Sequence, residues 1–177
     1  MKITVSSPDI TRVHTHCLVI PIHENDRRSA SARKVEAATQ GLISTLAKAG
    51  DIDGRPGTVL MTPAPSGVNA QRLLLVGVGE HPDADDFARA AAATAQRLCA
   101  IPATNAVVTL VEISAKGIDP STRARVLAQA LHNATYRFNQ LKTGAGKEVT
   151  KRGGALTRVT LVPGSSNTAS VTRAGVK

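Results

Sequence analysis

Two short runs, Cys17-Leu-Val-Ile-Pro-Ile22 and Arg72-Leu-Leu-Leu-Val-Gly-Val78, are apolar almost without interruption. A strand with one wet face alternates, whereas a strand covered on both faces does not, so both runs read as interior strands of a sheet with helices on each side. The 177-residue chain is long enough for one such core and too short for two substantial ones. Only Phe87, Tyr136 and Phe138 are aromatic. The core must therefore be built from Val, Leu, Ile and Ala, which suits aliphatic strands under Ala-rich helices.

The remaining elements alternate accordingly. Strands are expected at Lys2–Val5, 58–62, 106–111 and 155–162. A helical pattern runs from 29 to 49 with Leu42, Leu46 and Ala49 at helical spacing, and Gly41 is placed to break or kink it. Asp83-Ala-Asp-Asp86 is a helix start, with Asp83 as cap and the further acids at the positive end of the dipole. Phe87, Ala91, Thr94 and Leu98 then share one face. Asp119-Pro120 opens the clearest amphipathic helix, where Leu127, Leu131, Ala134, Phe138 and Leu141 recur at spacings of four, three, four and three. The alternation places the chain in the α/β class with a largely parallel or mixed sheet. Residues 1–142 read as the α/β domain, and 143–177 as a basic Gly/Ser-rich connector with one further strand near 155–162 and a mobile end from 163.

Charge follows the same division. Residues 1–136 hold 14 Lys/Arg against 12 Asp/Glu, whereas 137–177 hold eight against the single Glu148. Lys142, Lys147, Lys151, Arg152 and Arg158 could therefore engage phosphates through a salt-sensitive, sequence-independent attraction, against the alternative of a solvated linker. The N-terminus lacks an apolar signal region, and no apolar run approaches the roughly 18 residues of a membrane span. Cys17 and Cys99 sit in apolar settings without a Cys-x-x-Cys spacing, so they read as buried free thiols suited to a reducing cytoplasm.

Motifs that could carry chemistry are sparse. Gly77-Val-Gly79 lies between a strand and a helix, but Pro82 stands where a dinucleotide fingerprint needs its third glycine. Gly144-Ala-Gly-Lys147 has the lysine of a phosphate loop but follows a helix, is preceded by Leu141 at the leading glycine position, and continues into Glu148 instead of Ser or Thr. His14-Thr-His16, with Cys17 and His23 nearby, has a spacing metals use, yet Cys17 would face away from both imidazoles in a regular strand. Surface or strand-edge histidines are the better reading. Asp51-Ile-Asp-Gly54 is a turn, being too short for a calcium loop. No self-sufficient active site, metal site or cofactor site is expected.

Five segments in order, Cys17-Leu-Val-Ile-Pro21, Gly41-Leu-Ile-Ser-x-Leu46, Asp51-Ile-Asp-Gly-Arg-Pro-Gly57, Leu73-Leu-Leu-Val-Gly-Val-Gly79 and 128–142 with its Tyr-Arg-Phe-Asn-x-x-Lys core, resemble the amino-terminal domain of the leucyl aminopeptidase (cytosol aminopeptidase) family. The resemblance implies a macro-domain-like three-layer sandwich, with a mixed, mostly parallel sheet flanked by helices, preceding a larger metallopeptidase domain. In that family two divalent metals, Mn or Zn, and an Asn-Thr-Asp-Ala-Glu-Gly-Arg motif belong to the carboxy-terminal catalytic domain. That motif is absent here, so no catalytic or metal-binding residue is carried over and this segment alone is expected to be inactive. The implied partners are the catalytic domain of the same parent chain and further copies in a cytoplasmic hexamer, with DNA a candidate partner and no membrane. Two other readings stand beside this one: a DNA-binding regulatory module, and a free-standing macro domain that binds ADP-ribose.

Overall fold

A computed structural model describes residues 1–25, 29–63, 65–142, 156–164 and 166–176, without side chains for 136–142, 166–168 and 171. Six strands, β1 (Lys2–Val5), β2 (Cys17–Ile22), β3 (Val59–Pro63), β4 (Arg72–Gly77), β5 (Asn105–Val108) and β6 (Arg158–Leu161), form one sheet in the order β1-β6-β5-β2-β4-β3. All neighbours are parallel except β3, which returns antiparallel to β4 at one edge. This is an α/β sandwich with a mixed, mostly parallel sheet.

The two apolar runs occupy the interior positions that their pattern demands. Along β2, Cys17 and Val19 face one core while Leu18, Ile20 and Ile22 face the other. β4 divides in the same way, with Leu74 and Val76 on the first side and Leu73 and Leu75 on the second. The first core is covered by α3 (Ala84–Cys99) and α4 (Pro120–Lys142), the second by α1 (Ala30–Ala38) and α2 (Leu42–Lys48). The predicted face of α3 is the buried one: Phe87, Ala91, Thr94 and Leu98 are all inaccessible to solvent. Its start is a reciprocal cap, with Asp83 accepting from the N–H groups of Asp85 and Asp86 and Asp86 accepting from that of Asp83.

The helical stretch from 29 to 49 divides at Gly41, as its position predicts. Gln40 and Gly41 both take positive φ, +53° and +96°, and the Glu36 carboxylate accepts from the Ile43 and Ser44 N–H groups at the start of α2. On the α4 stripe, Leu127 and Leu131 are buried and Ala134 is partly so, while the Phe138 and Leu141 side chains lie outside the described residues.

One expectation is corrected. The segment from 163 onward, read as mobile, contains a helix, α5 (Ser166–Ala174), packed against α4 and β1. Thr172 is buried, Val176 packs on the first core, and Gly175 lies so close to the Ser121 carbonyl that a Cβ would collide with it. The Ser/Thr-rich sequence conceals this helix, since the position described as buried in it, Thr172, is small and polar. Of the basic connector expected over 143–177, residues 143–155, 165 and 177 lie outside the described residues.

Candidate ligand cleft at the carboxyl edge of the sheet

Parallel strands that end together leave a crevice beyond their carboxyl ends, and it is there that open α/β sheets bind ligands. In this chain β2 runs out into His23-Glu24-Asn25, β4 into Val78-Gly79-Glu80-His81, β5 into a 3₁₀ turn at Leu110–Glu112, and β6 into Pro163-Gly164. Two adjoining cavities of about 400 and 560 Å³ open between these ends, and His23 and Ser114 line both.

The ring of His23 is held by Nδ1, which lies 2.9 Å from the Gly79 carbonyl. Since a carbonyl only accepts, Nδ1 donates, leaving Nε2 of the neutral ring as an acceptor. The neighbouring glycines are structural. A Cβ on Gly77 would collide with the Arg55 carbonyl, and one on Gly54, at φ +75°, with the His23 carbonyl. The 50–57 loop is thereby seated on the end of β4 through Gly57 N–H to the Gly77 carbonyl, 3.0 Å, and Gly79 N–H to the Gly54 carbonyl, 2.8 Å. Gly77-Val-Gly79 thus provides the close backbone approach on which this loop is seated.

Glu112 governs the other half of the cleft. Its Oε1 accepts from the Ser31 N–H at 3.2 Å and, over a shorter contact, from the Ser31 hydroxyl. Ser29 caps the same helix by accepting from the Ala32 N–H at 3.1 Å. The positive end of α1, a ready anion site in folds of this kind, is thus already occupied by a carboxylate of the protein. Behind it the Thr109 hydroxyl, 2.8 Å from that of Ser31, donates to the Val19 carbonyl and ties the network to β2.

Opposite Glu112, Arg123 enters from the first turn of α4. It is only 8% exposed; Nε donates to the Val111 carbonyl at 3.3 Å and Nη1 to the Ile118 carbonyl at 3.2 Å. Burial pushes its pKa down, with the charge of Asp119 opposing. No carboxylate among the described residues lies within ion-pair distance of it.

The residues singled out from the sequence lie elsewhere. The Lys142 side chain and all of Lys147, Lys151 and Arg152 fall outside the described residues. Arg158 is exposed at the start of β6, in register with Lys2 on β1 and Asn105 on β5. His14 and His16 precede β2; His14 is exposed, and His16 Nδ1 accepts from the Thr104 N–H at 3.0 Å. Cys17 is buried, and Cys99 is half-buried beside Thr135. Among the described residues no group of three or more His, Cys, Asp or Glu could hold a metal ion, and no helix is long and apolar enough to cross a membrane.

Glu112 and Arg123 escaped the sequence reading. Two weak signals pointed to them: an acid inside the apolar run Leu110-Val-Glu-Ile113, and an arginine four residues before Leu127 on the buried stripe of α4.

Comparison with known proteins agrees with the five-segment resemblance. The chain is 40% identical over 131 residues to a probable cytosol aminopeptidase of Burkholderia multivorans, and 34% identical over 145 residues to one of Halorhodospira halophila. These alignments cover 72% and 81% of this chain but 26% and 29% of those relatives. Among solved structures, a tomato leucine aminopeptidase mutant superposes with a TM-score of 0.70 at 15% identity, covering 99% of this chain and 35% of that one. A macrodomain mutant of Oceanobacillus iheyensis superposes at 0.65 and 12% identity, covering 97% and 89%, which establishes the macrodomain-type fold alone. Residues 19–145 match the Cytosol aminopeptidase family, N-terminal domain, and the chain therefore belongs to that family through its amino-terminal domain.

Proposed function

We propose that this chain is the noncatalytic amino-terminal domain of a metal-dependent leucyl aminopeptidase that releases amino-terminal residues from peptides, and that it contributes to assembly of a cytoplasmic hexamer. The observation that carries this reading is the match of residues 19–145 to the family's amino-terminal domain, within relatives of which the chain covers about a quarter to a third. The two divalent ions of such a parent, Mn or Zn, do not fit the described residues, which offer no ligand cluster. They belong on this reading to a separate catalytic domain. The purified chain, assayed with leucine p-nitroanilide and added manganese, should release no nitroaniline. Hydrolysis by a preparation free of contaminating peptidase would overturn the proposal.

A second reading, DNA binding, is favoured by the register of Lys2 beside Arg158 at the amino edge of the sheet, together with the concentration of positive charge after residue 136. Lys142, Lys147, Lys151, Arg152 and Arg158 would supply the phosphate contacts. A gel shift should weaken steeply with salt and be lost when Lys147, Lys151 and Arg152 are replaced by Ala. An unchanged shift in that triple variant would move the binding surface off the connector. The ADP-ribose reading is disfavoured by Glu112, whose carboxylate holds the α1 donors and would repel a diphosphate.

A further inference from the structure

The cavity of about 400 Å³ contains two charged groups of opposite sign that do not meet. Oε1 of Glu112 takes both donors of Ser31, and Oε2 accepts no hydrogen bond among the described residues. Nε and Nη1 of Arg123 are committed to the Val111 and Ile118 carbonyls, and Nη2 donates to nothing among the described residues. No ion pair joins the two side chains, although both line the same cavity. A buried guanidinium without a counter-ion among the described residues is costly, and three of the five N–H groups of Arg123, which lines this cavity, have no partner among them.

We propose that this cavity binds a small aliphatic α-amino acid in its zwitterionic form, with the ligand carboxylate on Nη2 of Arg123 and the ligand ammonium on Oε2 of Glu112. Each alternative leaves a charge opposed or unmet. A phosphate would satisfy Arg123 but face the Glu112 carboxylate; a simple amine would satisfy Glu112 but face the guanidinium; an uncharged ligand would desolvate both for no return. The zwitterion answers both at once. The rest of the lining is small or aliphatic: Val111 and Ile113, only 2% and 3% exposed, belong to the core behind the cavity, and exposed Ala30 stands at its border. At Gly164 a Cβ would stand 3.1 Å from the Glu112 Cβ, so its absence helps to keep the space open. The volume lies within the range of about 300–1,000 Å³ common to small-molecule sites. The proposal stands without the parent's activity, although an aminopeptidase would release ligands of this class.

Calorimetric titration of the 177-residue chain with L-leucine, leucinamide, 4-methylpentanoate and inorganic phosphate separates these cases. Leucine should bind, and the other three should each bind at least about tenfold more weakly, since each lacks one of the two charge-assisted contacts. Glu112→Gln keeps an acceptor for the Ser31 N–H and should weaken leucine by a similar factor while leaving 4-methylpentanoate unchanged or tighter. Arg123→Met should likewise weaken leucine, and Glu112→Gln keeps the test decisive if that variant fails to fold. Absence of heat with leucine from folded chain at millimolar ligand would overturn the proposal. So would leucinamide or phosphate binding as tightly as leucine, or leucine affinity unaffected by Glu112→Gln. None of these readings depends on the hydrolysis assay, so the two proposals fail separately.

Discussion

Glu112 and Ser31, 81 positions apart in the chain, are joined where the 3₁₀ turn after β5 meets the first turn of α1, with the Ser31 N–H donating to the Glu112 carboxylate at 3.2 Å. A side chain from one strand end thus caps the helix that follows another, clamping the second core to the carboxyl edge of the sheet. Glu112→Ala removes this cap and strips the largely buried Ser31 of its acceptor, so it should cost about 1–2 kcal/mol in urea unfolding. Glu112→Gln should cost less. Equal stability of the Ala variant and the parent chain would show that water replaces the carboxylate without penalty.

Gly77 tests the seating of the 50–57 loop. Its Cα lies against the Arg55 carbonyl, where a Cβ has no room, so Gly77→Ala should destabilise by about 2–3 kcal/mol through backbone displacement. Gly117 provides the contrast. It has open space around it but φ of +84°, so Gly117→Ala should cost only the left-handed conformation, about 1–2 kcal/mol. Denaturant midpoints of the two variants should fall in that order, and a reversal would refute the steric account.

The two thiols should differ in reactivity. Burial pushes the Cys17 thiol up to about 12, the charges of Arg72 and Arg97 only partly opposing, while half-buried Cys99 is raised by burial and moderated by Thr135. Because the thiolate is the reactive form, an alkylating reagent at mildly alkaline pH should modify Cys99 slowly and reach Cys17 only on unfolding. Peptide mapping of native and denatured samples reads this directly; Cys17 labelled first in native protein would contradict the burial.

Asp119 caps α4, with its Oδ1 accepting from the Thr122 N–H at 2.6 Å, and this bond holds its carboxyl below the ordinary value. A carboxyl depressed in the folded chain contributes stability that is complete above its unfolded value and is lost as pH falls through the folded one. Asp119→Asn keeps an acceptor but does not titrate. The advantage of the parent chain over this variant, followed by thermal melts from neutral to acid pH, should therefore shrink at the acid end. A constant gap would place the acid sensitivity on other carboxylates.

Local periodicity was a good guide wherever packing obeyed it. The unbroken apolar runs of β2 and β4, the Asp83 cap, the stripe Phe87-Ala91-Thr94-Leu98 and the break at Gly41 each follow from a spacing or a conformational requirement carried by neighbouring residues. It failed at α5, where Thr172 is buried and Gly175 is crowded by Ser121 of α4, 54 positions earlier in the chain. A helix of small polar residues has no apolar stripe to announce it.

By itself, then, the sequence determined the class of fold, the identity of most elements and the family, because all three rest on short-range patterns and on ordered segments. The sheet order, which inserts β6 between β1 and β5, needed the tertiary structure, since register between distant strands leaves no local trace. So did the cleft. Ser29, Glu112, Arg123 and Gly164 come from four separate parts of the chain, and only the alignment of strand ends brings an acidic and a basic side chain to the lining of the same cavity.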